Sequence, residues 1–130
     1  MSASHYPVTL ALEVPREHAC GRRVPIVLRV HNGTARNVEL GLGGRDITFD
    51  VVVTDAAGAI VWRRLQGAAV QSILQLRVLA PGETLELRAE WACRGARGKL
   101  VPAGEYTVQA FLPTDEPEPL RSAPQPLRLR

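Results

Sequence analysis

The sequence predicts an all-β fold, an antiparallel sandwich of about eight or nine short strands. Three observations carry that expectation. Apolar residues recur with a period of two along most of the chain, and successive side chains of a strand point to opposite faces. Glycine and proline, 11 and 10 of 130 residues, punctuate these runs at short intervals. No stretch carries a convincing helical period. The length suits one domain over residues 1–130. At this size roughly two thirds of the unfolded chain's surface can be buried, so the core needs no metal or disulfide.

Val8 to Val14 reads as a first strand, with Val8, Leu10, Leu12 and Val14 inward, and Pro15 ends it by removing a ladder donor. Arg16 to Arg23 is a polar connection. Val24 to Val30 is a second strand with Val24, Ile26, Leu28 and Val30 on one face. His31-Asn32-Gly33-Thr34 then carries a strong hairpin signal, because Asn and Gly both tolerate positive φ. Val38, Leu40 and Leu42 alternate in a short third strand, which Gly41, Gly43 and Gly44 mark as an edge or a bulge.

Arg45 to Arg63 reads as two strands around a tight turn. Ile47, Phe49, Val51 and Val53 form its apolar face. Asp55-Ala56-Ala57-Gly58 turns the chain, with Asp bonding its own backbone and Gly supplying positive φ. Trp62 is the largest core residue on the return strand. From Leu65 to Leu79 the pattern is loose, and a weak strand is expected over Gln75–Val78. Ala80-Pro81-Gly82-Glu83 has the chemistry of a type II turn. Leu85, Leu87, Ala89 and Trp91 share one face of a strong strand, so Trp62 and Trp91 are both expected between the sheets. A loop runs from Ala92 to Ala103. Tyr106, Val108, Ala110 and Leu112 form another strand. Pro113 to Pro126 is a proline-rich connection with an acidic run, and Leu127 and Leu129 close the chain as a last strand.

Composition narrows the function classes. The formal charge is +3, and the cations are one Lys and fifteen Arg. Arginines interleave with acids, as in Glu86-Leu87-Arg88-Ala89-Glu90, and no aromatic residues are interleaved for base stacking. These are solvent faces of strands, and no nucleic-acid partner is expected. No stretch approaches the ~20 apolar residues of a membrane span. The N-terminus alternates like a strand and lacks the apolar run of a secretory signal, so a cytoplasmic location is expected. Asn32-Gly33-Thr34 matches a glycosylation acceptor but reads as a turn in that setting. His5, His18 and His31 have no nucleophile motif beside them and no metal-ligand spacing with the cysteines. The chain is therefore expected not to be an enzyme and to need no cofactor or metal. If the strands follow the immunoglobulin order, Val24–Val30 pairs with Leu85–Trp91. Cys20 and Cys93 then lie at one end of a single sheet, as free thiols in a reducing compartment.

The motifs together resemble the BsuPI family of bacterial intracellular proteinase inhibitors. They are Phe49-Asp50-Val51-Val52-Val53-Thr54-Asp55, Gly58 and Val61-Trp62-Arg63. Leu79-Ala80-Pro81-Gly82-Glu83, Trp91 and Pro102-Ala103-Gly104-Glu105-Tyr106-Thr107 follow in order. Val30-His31-Asn32-Gly33-Thr34 lies upstream. The run after Arg63, from Arg64 to Ser72, departs from the family pattern. If relatives contact a protease there, that contact is altered here. The resemblance implies an immunoglobulin-like sandwich whose partner is a serine protease of the subtilisin type, held through a rigid exposed loop. Arg94–Val101 and Pro113–Arg121 are the loop candidates, with Arg97, Lys99, Leu100 and Val101 as contact residues and Leu100 for an apolar pocket. The alternative is a non-inhibitory interaction or assembly module on the same fold.

Overall fold

A computed structural model describes residues 6–44, 46–66, 74–95 and 97–130. Among them are eleven strands and no helix. They are β1 (Thr9–Glu13), β2 (Glu17–His18), β3 (Val24–His31), β4 (Val38–Gly43), β5 (Asp50–Asp55) and β6 (Ile60–Arg63). There follow β7 (Leu74–Leu79), β8 (Thr84–Trp91), β9 (Gly104–Leu112), β10 (Leu120–Arg121) and β11 (Gln125–Leu129). The nine longer strands sit where alternation places them. The two-residue β2 and β10 lie in segments expected to be connections, and so short a run carries no period to read.

One sheet has the order β1-β3-β8, and a larger one has β2-β11-β9-β5-β6 with β10 on β9. The pairings are antiparallel except β2 with β11, which is parallel. The inner face of the first sheet is Leu12, Val24, Ile26, Leu28, Val30, Leu87 and Trp91, all buried. The second contributes Phe49, Val51, Val53, Tyr106, Val108, Ala110, Leu112, Leu127 and Leu129. In these two sheets the strand arginines lie on the outer faces. Arg29, on the middle strand of the small sheet, bonds Glu13 of β1 and Glu86 of β8, each at 3.0 Å. Exposed pairs of this kind contribute little stability and keep the face solvated.

The third pair, β4-β7, prolongs the β3-β8 ribbon. β3 meets β8 from Val24↔Trp91 to His31↔Thr84, and β4 meets β7 from Val38↔Leu79 to Gly43↔Leu74. Between the two ladders, residues 32–37 face residues 80–83, and the ribbon turns a corner. The Asn32-Gly33 hairpin expected from the sequence is not formed: β3 pairs with β1 and β8, and neither Asn32 nor Gly33 has positive φ. Asn32 is instead fully buried. Its Nδ2 donates to Arg36 O (2.7 Å) and Leu79 O (2.9 Å), and its Oδ1 accepts from Thr34 N (3.0 Å) and Thr34 Oγ1 (2.6 Å). Its own N–H donates to Glu83 O and its carbonyl accepts from Gly82 N. One buried amide thus holds both strands at the corner. The facing Ala80–Glu83 turn forms as expected, with Glu83 N on Ala80 O at 2.9 Å and Gly82 at φ +79°.

The Asp55 turn also forms, with Gly58 at φ +85° and Asp55 Oδ1 accepting from Ala57 N and Ala59 N. Trp91 is buried as expected, but Trp62 is only half-buried. β6 is the edge of the larger sheet, so among the described residues no strand pairs with it on the side away from β5. The β3-β8 register places Cys20 and Cys93 at the same end, and both are free thiols. No helix among the described residues is long and apolar enough to cross a membrane.

Candidate protease-contact surface

The Ala92–Ala103 loop leaves the sandwich from an aromatic cluster. Trp91 stacks on Trp62 with centroids 6.0 Å apart and meets Tyr106 edge-on at 5.9 Å. Trp91 Nε1 donates to Arg94 O (3.1 Å), and the Tyr106 hydroxyl donates to Pro102 O (2.6 Å). A tyrosine near the start of a strand that bonds back to its own approach segment is a corner device of immunoglobulin-type sandwiches. Both ends of the loop are thus tied to core aromatics.

The loop folds on itself. Val101 N donates to Cys93 O (2.8 Å) and Gly95 N to Lys99 O (2.9 Å), flanking an antiparallel bridge between Arg94 and Leu100. Gly98 N donates to Gly95 O (3.0 Å) and closes the tip, with Gly98 at φ +73°. Arg94 Nη1 reaches across to Gly98 O (2.7 Å). Cys93 enters the loop with φ +59°, an uncommon conformation for a residue with a β-carbon. Its Sγ is buried and donates to Arg22 O at 3.5 Å, and burial pushes its pKa up. That thiol stays protonated and takes no part in surface chemistry.

Of the contact residues expected from the sequence, Arg97 and Lys99 are exposed and Leu100 is 51% exposed. Val101 is half-buried against the core and anchors the returning limb. The loop brings Arg97, Lys99 and Leu100 to one protrusion. Ala96 lies outside the described residues, as do residues 67–72 of the run that departs from the family pattern. The other candidate loop, Pro113–Arg121, is pinned along β4. Thr114 bridges Leu42, and Asp115 N donates to Gly41 O (3.1 Å). A β-carbon at position 41 would stand 2.8 Å from Asp115 Cγ, so any larger residue there would push that side chain aside. The Tyr6 hydroxyl donates to Asp115 Oδ1 and fastens the same spot.

Two features, the burial of the motif residue Asp50 and the outward face of β7, were not foreseen from the sequence. Asp50, 5% exposed, accepts from Arg63 Nη2 (2.9 Å) and Nε (3.3 Å) on one oxygen, and from Val51 N and Leu65 N on the other. It holds the end of the β5-β6 hairpin at a cleft of about 420 Å³ walled by Val52, Ile60, Phe111 and Pro119. Polar residues on an outer strand face give no sequence signal that one of them is buried. The second feature is β7, whose Leu74, Leu76 and Val78 are exposed.

The model of a family described as intracellular proteinase inhibitor, BsuPI, matches residues 8–117. The chain belongs to the BsuPI family. The residues that carried the resemblance form the framework: Phe49, Trp91 and Tyr106 in the core, Asn32 at the corner, Gly58 and Gly82 in turns. No curated protein matches the BsuPI chain closely enough to be counted. Solved structures give the fold alone. An alkylpurine DNA glycosylase from Pseudomonas fluorescens, bound to DNA containing an abasic site analog, aligns with TM-score 0.54 and 16% identity over 96% of this chain. A β-glucosidase from Listeria innocua in complex with glucose aligns with TM-score 0.52 and 13% identity over 99%. The BsuPI chain spans 31% of the first protein and 17% of the second. Among the described residues there is no cluster of metal-ligating side chains.

Proposed function

We propose that this BsuPI domain inhibits a serine protease of the subtilisin type by lodging the 94–101 loop in its cleft. The observation that carries the reading is a loop exposing Arg97, Lys99 and a 51%-exposed Leu100 while its backbone is bonded to itself and to core aromatics. Such a loop loses little conformational freedom on binding. The bound loop competes with substrate, and its internal ladder opposes the rearrangement that cleavage needs. Leu100 enters an apolar pocket, Arg97 and Lys99 contact the rim, and Val101 holds the limb from behind.

The test is steady-state hydrolysis of a small peptide substrate with increasing inhibitor. Wild type slows a subtilisin-like protease in proportion to its concentration. Leu100→Asp weakens inhibition by roughly tenfold or more, since an unpaired carboxylate in an apolar pocket costs well over about 1.4 kcal/mol. Its stability stays within about 0.5 kcal/mol of wild type, because the side chain lies outside the core. A flat response across subtilisin-like and trypsin-like proteases overturns the reading. Inhibition that survives Leu100→Asp moves the site off this loop.

A further inference from the structure

β7 is built inside out. Residues directly opposite in an antiparallel pair share a face. Gln75 and Arg77 therefore lie on the inner face with Leu42 and Leu40, while Leu74, Leu76 and Val78 lie outward with Gly43, Gly41 and Glu39. The two glycines have no side chain to cover their neighbours, and Leu74 and Leu76 are 56% and 69% exposed. β7 is also an edge: among the described residues β4 is its only strand neighbour.

The other edges are blunted in the ways that discourage pairing with another chain. β8 turns Glu86, Arg88 and Glu90 outward. β1 ends in Glu13, with Pro15 following. β6 has four residues and meets β5 with a shifted register, and β2 has two residues. β7 has six residues, no proline and an unbroken register with β4. Among the described residues it is the edge left open, and it carries the apolar face.

We propose that β7 pairs antiparallel with β7 of a second copy of this chain, across a two-fold axis at Leu76. Faces must match, so the stripe must meet the stripe. With Arg77 on the axis, two guanidinium groups stand opposite each other. With Leu76 on the axis, Leu76 faces Leu76, Leu74 faces Val78 twice, and Gln75 faces Arg77 twice. That register sets no like charges together and keeps residues 74–78 of both strands in the ladder. It joins two β4-β7 pairs into one four-stranded sheet and closes the open edge of each. The 94–101 loop leaves from the other end of the β3-β8 ribbon, so pairing here leaves it free, and the inference stands apart from the inhibitory reading.

An interface of one strand per side is small, and the dimer dissociates on dilution. Sedimentation of the full chain is therefore read as a concentration series. Wild type moves from the 14.2 kDa of one chain to twice that mass at high micromolar concentration. Leu76→Lys and Leu76→Glu each stay at the mass of one chain, since each sets like charges face to face on the axis. Their equimolar mixture regains the double mass, because Lys then faces Glu. That rescue also shows that neither variant lost its fold. A wild type that stays at one chain's mass overturns the proposal, as does a dimer that survives Leu76→Lys. A mixture that fails to pair overturns the Leu76 axis. A mass gain seen only on adding a protease, and lost in Leu76→Lys, assigns the stripe to the protease.

Discussion

The two ends of the β3-β8 ribbon are finished in different ways. At the Val24↔Trp91 end, apolar bulk does the work: Trp91, wedged between Trp62 and Tyr106, carries a loop whose own backbone closes it. At the His31↔Thr84 end one buried amide does it, with Asn32 taking two carbonyls and giving two acceptor contacts where the ribbon bends into β4 and β7. The first end draws its support from the aromatic residues beneath the loop. The second depends on one side chain meeting several partners at once, of which the Leu79 carbonyl is the buried one.

Removing the central piece of each end tests that contrast. Trp91→Ala at the aromatic end should cost about 3–5 kcal/mol, as large-to-small changes in a packed core do. Trp62→Ala should cost about 1–3 kcal/mol, because half-burial forfeits only part of the transfer and cavity terms. Urea denaturation reads both. Equal losses would show that the stack acts as one unit and that the edge position of Trp62 protects nothing.

At the corner, Asn32→Ala should cost about 2–4 kcal/mol, since it strands the Leu79 carbonyl in the interior along with other partners. Asn32→Asp should cost at least as much. It keeps the acceptor for Thr34 but turns a second carboxylate oxygen toward the carbonyls of Arg36 and Leu79. A loss below about 1 kcal/mol for both would mean that the corner is held by the strands themselves and not by the amide.

Much of the framework was legible, and the reason is periodicity. β3, β8 and β9 alternate, and their inward residues are buried as parity requires except Leu85 and Ala89 of β8, which are half-buried. The Asp55 and Pro81 turns were legible because each needs a specific residue at a specific φ. Asn32-Gly33 was misread because those residue types suit both a tight turn and a buried amide corner, and only the partners at Leu79 and Glu83 decide between them. The inward parity of Trp62 was right, but burial also depends on what flanks β6, which alternation along one strand does not record. β7 alternates only loosely, and the direction its leucines face is set by its register with β4. The contact loop stood out as a long glycine- and arginine-rich break. Its ladder of backbone bonds carries no residue signature beyond Gly98.

The smallest expected effect divides the two ends by pH. Burial raises the Cys93 thiol above its ordinary 9.0 and the Tyr106 phenol above 10.0, both at the aromatic end. Near the other end the Tyr6 phenol is raised above 10.0, chiefly because its neutral form donates to Asp115. All three hold their protons longer folded than unfolded. Unfolding therefore releases protons at alkaline pH, and stability falls as pH climbs. Below about pH 8 their contribution is nearly complete, since even a thiol at its ordinary 9.0 is about nine-tenths protonated there. The thiol should begin the decline near pH 9, and the phenols, the only two tyrosines in the chain, should extend it above 10. Cys93→Ala should flatten the first part of the curve of unfolding free energy against pH, and Tyr6→Phe only the later part. A curve that Cys93→Ala leaves unchanged between pH 8.5 and 9.5, about where a thiol titrates, would mean that the thiol at the base of the loop reaches solvent in the folded protein, and the aromatic end would then be the looser of the two.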